Sequence, residues 1–508
     1  MIVRLILGDQ LNSEHSWFRE EAQANYLYVL MEMRSETNYV THHHQKVIAF
    51  FAAMRHFSEE LKAKGCNVFY FKIDDPFNQH SFEKNLQFLH TQYKIAAFHY
   101  QWPDEYRLYQ EFKRFKSVFH FEVKAFDSEH YYCSLQEIAL MGAEKKQYLL
   151  ENFYRHLRKK HQILVVNDKP IGGKWNFDTD NRNKWKNQVH IPKALRFEND
   201  ASEITQNLKN AGISTFGKIN TISEYPKSRA QALEQLSYFL EHVLRHFGTY
   251  QDAMHTEEKL LFHSNLSFAL NVKMLSPKEV VQATEHYYNQ HQDTIDLAQV
   301  EGFIRQILGW REYVRMVYWN TYSELKTSNF LEHTKPLPNV FWTGKSKMLC
   351  VATCAQNSLD HSYAHHIQRL MVLGNYALLM ETHPDAVDAW YLGVYVDAVE
   401  WVQLPNTRGM SQFADGGIVA TKPYVSSSNY IDKMSNYCTA CDYDKKTKTE
   451  ENSCPFNSLY WHFLDKNQDK FQNNPRMKMM YALLHKMNQT ELEKINQKAR
   501  NLIETRTC

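Results

Sequence analysis

Ile2-Val3-Arg4-Leu5-Ile6-Leu7 runs directly into Gly8-Asp9-Gln10-Leu11. An apolar run this short, closed by a Gly-Asp turn, describes a buried strand whose carboxyl end is the turn. Four similar runs follow at residues 26–31, 68–73, 95–100 and 121–125. Between the second and third lies a helical period: Val47, Ile48, Phe51, Met54, Phe57 and Leu61. Strands alternating with helices predict an α/β, doubly wound parallel sheet. No G-x-G-x-x-G follows the first strand, which disfavours a nicotinamide dinucleotide site. Gly8, Asp9 and Gln10 stand where such sheets place ligands, although spacing alone supports a simple turn equally well.

Downstream the pattern changes. Residues 134–161 read as a helix ending in the basic cluster Arg155, Arg158, Lys159 and Lys160, a charge run expected to form a solvated face. From 165 to about 226 there is little period, and the stretch carries Gly172-Gly173-Lys174-Trp175-Asn176-Phe177-Asp178, then Arg182, Lys184, Trp185 and Lys186. So long a segment without structure is a linker or a functional loop, and its mixture of cations and indoles suits nucleic acid. From Ser228 onward nearly every segment has helical period, as in Leu233, Leu236, Phe239, Leu240, Val243 and Leu244. The expected organisation is an α/β part over residues 1–132, a helix and long interdomain loop over 133–226, and a large all-α part over 227–508.

Composition narrows the function classes. The 508 residues carry Lys+Arg 59 against Asp+Glu 57, so any contact with nucleic acid must come from a local patch rather than a global polycation. Aromatic residues make up 14%, which usually means core packing but also builds flavin pockets, stacking platforms and electron-hopping chains. Eight cysteines in this length do not form a secreted disulfide framework, and Cys66, Cys133 and Cys508 read as incidental thiols. Residues 1–7 are too short for a signal sequence, and no apolar run approaches the roughly 20 residues of a membrane helix. A soluble, cytoplasmic protein is expected.

The remaining cysteines are organised. Tyr437-Cys438-Thr439-Ala440-Cys441 holds a C-x2-C pair, Ser453-Cys454-Pro455 supplies a third thiol, and Cys350 stands far upstream. Four thiolates make a soft site that fits structural zinc or an iron-sulfur cluster, and the Cys-Pro ending leans toward the cluster. Cys354, one helical turn beyond Cys350, is a rival for the fourth place. Four ordinary thiols in a reducing compartment are the plain alternative.

His263-Ser264-Asn265-Leu266-Ser267 and Glu301-Gly302-Phe303-Ile304-Arg305-Gln306-Ile307-Leu308-Gly309-Trp310-Arg311-Glu312-Tyr313 resemble the flavin-binding motifs of the photolyase and cryptochrome superfamily. There a T-S-x-L-S segment holds the FAD phosphates and an E-x-x-x-R-Q-x-x-x-W-R-E helix lines the pocket; His263 stands where the family has Thr. Hydroxyls, backbone N–H groups and Arg suit phosphate. With the cysteines, the match narrows to the prokaryotic (6-4) photolyases, the bacterial iron-sulfur branch, and it covers essentially the whole chain.

The resemblance implies an N-terminal antenna domain, a helical FAD-binding domain with a 4Fe-4S cluster on Cys350, Cys438, Cys441 and Cys454, and Cys354 as a bystander. It implies light-driven repair of UV-induced (6-4) photoproducts in DNA, with the lesion flipped out of the duplex. His366, with His365 beside it, resembles the proton donor, and imidazole is the side chain that titrates near neutrality. On spacing alone, His361-Ser362-Tyr363-Ala364-His365-His366 would be core histidines or an i, i+4 metal pair. FAD contacts are implied for Ser264, Leu266, Ser267, Arg305, Gln306, Arg311, Asp397 and Gln403, and a lesion pocket for Met410 and Tyr424. Trp390, Trp342, Tyr391 and Tyr430 match the branch's photoreduction chain. Gly8, Asp9, Gln10, Met33 and Glu36 match its site for a 6,7-dimethyl-8-ribityllumazine antenna, which the stretch from Asp104 to Arg107 would close. The loop around Lys174, Trp175 and Arg182 would reach over DNA, with Asp178 organising a divalent ion such as Mg2+. A monomer is expected. The rivals are a cryptochrome-like photoreceptor, a cyclobutane-dimer photolyase, which needs no histidine acid, and a zinc-stabilised nucleic-acid-binding protein.

Overall fold

The structure is a computed structural model and describes residues 1–20, 23–142 and 148–506. Five strands, β1 (Ile2–Leu5), β2 (Tyr26–Met31), β3 (Asn67–Phe71), β4 (Ala97–Gln101) and β5 (Glu122–Phe126), form one parallel sheet in the order β3-β2-β1-β4-β5. Ile2 lies opposite both Tyr26 and Ala97, so the strand order reverses at β1. Each parallel pair needs a crossover, and the helices His44–Ala63, Phe82–Tyr93 and Tyr106–Val118 supply them. Val3, Leu5, Val29, Met31, Phe98 and Tyr100 pack with Phe82, Leu86 and Phe112 on one face. Tyr28 and Leu30 meet Val47, Ile48 and Phe51 on the other. Burial on both faces is why β1 and β2 are continuous apolar runs, whereas the edge strand β5 alternates and exposes Glu122 and Lys124. The exception, Arg4, is buried with its guanidinium over the Tyr26 ring at 3.5 Å and paired to Glu20 at 2.7 Å.

The predicted strands lie within two residues of the observed ones, but the predicted 134–161 helix forms as Leu135–Gly142 and Leu150–His161. Its basic end is not simply solvated. Arg158 is buried and donates to the carbonyls of Ile163 (3.1 Å), Leu164 (2.7 Å) and Trp175 (2.9 Å), pinning the start of the interdomain loop. An Arg158→Met change is expected to strand the buried carbonyl of Ile163 and remove one bond each from Trp175 O and from Leu164 O, which keeps the Ile171 N–H, and to cost about 2 kcal/mol. A lowered melting temperature and faster proteolysis within residues 162–182 would register it. The loop also contains a helix the sequence reading missed, Ser202–Asn210, which buries Ile204 and Leu208.

From Arg229 to Thr505 the chain is helical, and several helices pass through wider π-helical turns, including Arg305–Arg311, Gln368–Gly374 and Pro405–Ser411. Such turns re-aim side chains and concentrate at functional sites. Among the described residues no helix is long and apolar enough to cross a membrane. Cys508 lies outside the described residues, whereas Cys66 and Cys133 are buried.

Candidate functional site

Three cavities gather the residues singled out by sequence. The first, about 830 Å³, opens at the carboxyl ends of β1 and β2 and is lined by Gly8, Asp9, Met33 and Glu36, with Ala398 and Val399 of the helical part as its far wall. Gln10 lies behind it, accepting from Leu7 N at 3.1 Å and donating to Gln101 O at 3.3 Å, so its role is to hold the turn. Met31, Met54, Phe50, Phe51 and Leu108 give one apolar side. The opposite side is ionic. Lys273 donates to Asp104 at 2.6 Å and lies 3.4 Å from Asp9, and Arg107 grips Glu36 through two bonds of 2.9 and 2.6 Å. Glu105, buried beside Glu400, is pushed up to about 7. Lys46, drawn down to about 7 by burial, donates to Leu392 O and Ala398 O at 2.6 and 2.7 Å. Lys46 and Lys273 were missed in the sequence; a lysine just ahead of the apolar face Val47-Ile48-Phe51 was the available signal for the first.

The second cavity, about 1220 Å³, lies between the 190–196 segment, the side chains of Tyr238, Phe239 and Val243, and residues 257–261 with His263, Ser264 and Asn265. A smaller one of about 360 Å³ adjoins it, lined by Arg196, Tyr225, Lys259, Asn265, His361 and Tyr363. His263 stacks on His365, ring centroids 4.5 Å apart and 15° from parallel. Neither ring nitrogen of His365 has a protein partner, nor does Nε2 of His263. Buried polar atoms of this kind are rare in finished cores and mark a place where another group completes the bonding. His366 keeps solvent access although protein surrounds it, and desolvation, with Arg369 nearby, lowers its pKa to about 4.

Behind the histidines, Arg369 pairs with Asp397 through bonds of 2.9 and 3.1 Å, and this pair keeps the carboxyl low despite its burial. Ser267 also bonds Asp397, and Asn271 donates to its carbonyl at 2.5 Å. Leu266 is core. Gln403 is buried and donates to Thr407. Of the eight implied cofactor contacts only Ser264 lines the second cavity, and three of the others bond elsewhere. Arg305 faces Glu151 (3.3 Å) and Asp178 (3.6 Å), Gln306 donates to Gly302 O at 2.9 Å, and Arg311 is enclosed by Asn271, Leu270 O and His130. In this structure they brace the helix against its neighbours. Met410 is buried on the π-helical turn Pro405–Ser411, and Tyr424 is half-buried.

An aromatic file leads away from Arg369. Its guanidinium lies 3.8 Å from the Tyr395 ring, which is 5.8 Å from Trp390 and 5.4 Å from Tyr391. Trp390 contacts Tyr391 at 5.4 Å and Phe341 at 4.9 Å, and Trp342, next to Phe341, is exposed. Tyr395 was not singled out by sequence. Tyr430 is half-buried and apart from this file, its pKa raised by burial near Asp252.

The third cavity, about 330 Å³, is lined by Cys350, Cys438, Cys441 and Cys454 together with Met348, Tyr437 and Phe456. Burial and the neighbouring thiols push the Cys350 thiol well above its usual range. Cys354 does not line the cavity; it is buried with its sulfur 3.8 Å from the Tyr437 hydroxyl. Among the described residues no three His, Cys, Asp or Glu side chains converge closely enough to hold a single metal ion.

A parallel sheet with a ligand-sized cavity at its switch point, joined to a helical part with a second cavity, is the architecture of photolyases and cryptochromes. The structure resembles that of a bacterial class III photolyase from Agrobacterium tumefaciens (TM-score 0.58, 12% identity, 99% of this chain and 98% of that one). It also resembles a Synechocystis cryptochrome (TM-score 0.57, 11% identity, 97% and 93%). The model of the deoxyribodipyrimidine photo-lyase-related protein family matches residues 4–223. In sequence the chain is 40% identical over 497 residues to the (6-4) photolyase of Agrobacterium fabrum, covering 97% of each. It belongs to the (6-4) photolyase family.

Proposed function

We propose that this chain is a light-driven DNA repair lyase acting on (6-4) pyrimidine–pyrimidone photoproducts, with the damaged dinucleotide flipped out of the duplex. The observation that carries this reading is the 40% identity sustained over 97% of both chains. His263 Nε2 at the second cavity, and both ring nitrogens of His365 stacked behind it, lack protein partners and give it a chemical centre. FAD fits there: Ser264 and Asn265 line the cavity, Lys193, Arg196 and Lys259 bring cations to it, and the Arg369–Asp397 pair lies behind the histidines. Bound in its reduced form, FAD supplies the photoexcited electron.

The side chains then have separable duties. His366 delivers a proton to the lesion hydroxyl as the (6-4) bond opens, His263 and His365 hold the imidazole group in place, and Arg369 fixes Asp397 beside the cofactor. Gln403, Met410 and Tyr424 shape the pocket, with Ser267 on Asp397. Trp390 and Tyr391, joined by Tyr395 and ending at exposed Trp342, form the route for reducing the flavin; Tyr430 would serve a separate branch. Trp175, ringed by Arg155 (5.6 Å), Arg158 (5.2 Å) and Lys159 (5.6 Å), offers a cationic, stackable surface to DNA. Asp178 and Asp252 flank Arg182 at 3.1 and 3.5 Å and are the acids that a divalent ion such as Mg2+ would use beside the DNA.

The cysteine cavity suits a 4Fe-4S cluster better than zinc. Zinc would be held by four sulfurs about 2.3 Å from one point, whereas the Cys454-Pro455 ending and the resemblance to the iron-sulfur branch favour the cluster. The first cavity suits a flat, neutral antenna such as 6,7-dimethyl-8-ribityllumazine: an apolar slot for the rings, with Asp9, Glu36 and Glu105 to accept from a hydroxylated chain. A Cβ on Gly8 would sit 3.0 Å from Met54 Sδ, and a longer side chain would occupy the slot. Gly8→Leu is expected to weaken lumazine binding at least about tenfold, through lost burial, and to leave FAD content unchanged; co-purified chromophore measures both. A soluble, cytoplasmic monomer is sufficient for all of this.

The test is an absorption spectrum and iron assay on purified protein, then illumination with (6-4)-damaged DNA. Flavin bands over a broad iron-sulfur shoulder, with lesion loss only in light, are expected. The same spectrum without lesion loss would turn the reading into a photoreceptor, and a colourless protein would end it.

A further inference from the structure

The second cavity has a wall that the flavin motifs do not account for. Residues 190–196 cross its mouth as irregular chain, held by Tyr238, whose hydroxyl donates to Lys193 O, and by the Arg196–Glu224 ion pair. This strap belongs to the interdomain loop, yet it faces Ser264 and Asn265 across the cavity. Three cations meet there. Lys193 and Arg196 come from the strap, and Lys259 comes from the opposite wall. Lys259 Nζ contacts His361 Nε2, whose imidazole is held neutral by burial and the neighbouring cation. Among the described residues neither Lys193 nor Lys259 has a carboxylate partner, while Glu257 and Glu258 lie on the rim. Arg196, Lys259 and Asn265 also line the adjoining small cavity, where Glu224 pairs with Arg196 and Lys259, among the described residues, is left without a carboxylate.

We infer that the 190–196 strap is the closing wall of the dinucleotide site, and that Lys193, Arg196 and Lys259 clamp the cofactor's pyrophosphate against the Ser264–Asn265 segment. The inference rests on FAD occupying this cavity. Two phosphates carry two negative charges, and cations on opposite walls can bond both while the neutral His361 accepts from Lys259 and keeps it aimed. A lysine or arginine that served only to attach the loop would be paired to carboxylates, as Arg196 alone partly is. The strap therefore binds the part of the cofactor that does no chemistry and sets its residence time. Cofactor exchange requires the interdomain loop to lift.

The experiment measures FAD release from the whole protein by the rise in flavin fluorescence, at low and high salt, for wild type, Lys193→Gln/Arg196→Gln, Lys259→Gln and Lys259→Arg. Release at least about tenfold faster in both Gln variants, with weakened salt dependence, is expected, and Lys259→Arg should restore retention. Riboflavin, which lacks phosphate, should bind all four proteins alike, an outcome a merely structural role would not give. Lys186→Gln, on the same loop but off the cavity, is the control and should release FAD as wild type does. Unchanged FAD release in both Gln variants would overturn the clamp while leaving the FAD reading intact; equal losses of riboflavin and FAD would also overturn it. A wild-type protein that never takes up FAD would remove the reading beneath it.

Discussion

Cys454→Ser is expected to yield little folded protein, and what folds should lack iron and the broad visible shoulder. Cys350 stands in the helix Leu349–His361, whereas Cys438, Cys441 and Cys454 come from the irregular stretch before the helix Pro455–Lys466. That stretch has little regular structure, a three-residue turn at Tyr437–Thr439 and the Asp444–Ser453 bridge, and is otherwise tied down by side chains such as Asn457, which donates to Lys445 O and Thr447 O, and by the Lys445–Asp432 and Lys448–Glu491 ion pairs. Metal–thiolate sites contribute on the order of 10 kcal/mol to folding, which is comparable to the whole stability of an ordinary domain. Losing one ligand should therefore unfold this end of the helical part rather than merely bleach it. Cys354→Ala is the internal control. Its sulfur is buried but outside the cavity, so the colour should survive, with a stability loss of about 1 kcal/mol. Iron content and thermal melting of the two variants separate the roles. A folded, repair-active, iron-free Cys454→Ser protein would contradict the structural duty assigned to the cluster.

The cysteine site also reaches the histidines. Tyr437, which lines the third cavity, accepts at its hydroxyl from Gln368 Nε2 at 3.1 Å, and Gln368 Oε1 accepts from the backbone N–H of His365 at 3.3 Å. Disorder at the cysteine site would therefore loosen the turn on which His365 and His366 sit. The four cysteines and the two histidines stand out through the family resemblance; on spacing alone the histidines read as core and Cys354 is a rival for the fourth place. Sequence could not supply this connection, since a Tyr and a Gln carry no pattern. The sheet was legible for a different reason: strands buried on both faces must be apolar throughout, and only their ends drifted by a residue or two. Ser202–Asn210 was not, because Ile204 and Leu208 alone are too few to establish a helical period. Arg158 was misjudged because its partners are carbonyls further along the chain, which composition does not reveal. Arg311 carries a family motif, yet its guanidinium is spent on Asn271, Leu270 and the Trp401 ring at 4.7 Å.

His366→Ala should abolish (6-4) repair while leaving bound flavin and photoreduction in place. A positioned general acid contributes roughly 10²- to 10⁴-fold, so repair should fall by at least about 100-fold. The pH response gives the finer test. Without DNA, burial and Arg369 hold His366 near 4, so its ring is neutral at pH 7, and a neutral imidazole is a poor acid. A bound reduced flavin and DNA phosphates both bring negative charge, and negative charge raises an imidazole's pKa. If His366 is the proton donor, it becomes one only in the complex. The wild-type repair rate, measured with saturating damaged DNA, should be high on the acid side and decline as pH rises through the raised pKa, because the charged form is lost in that direction. His366→Asn should show a low, flat profile, since its amide cannot titrate. Nuclear magnetic resonance of the His366 ring, free and with lesion DNA, should report the upward shift directly. A pKa unmoved by damaged DNA, together with full repair by His366→Ala, would assign the proton to another group, and His365, with both ring nitrogens unpartnered, would be the next to test.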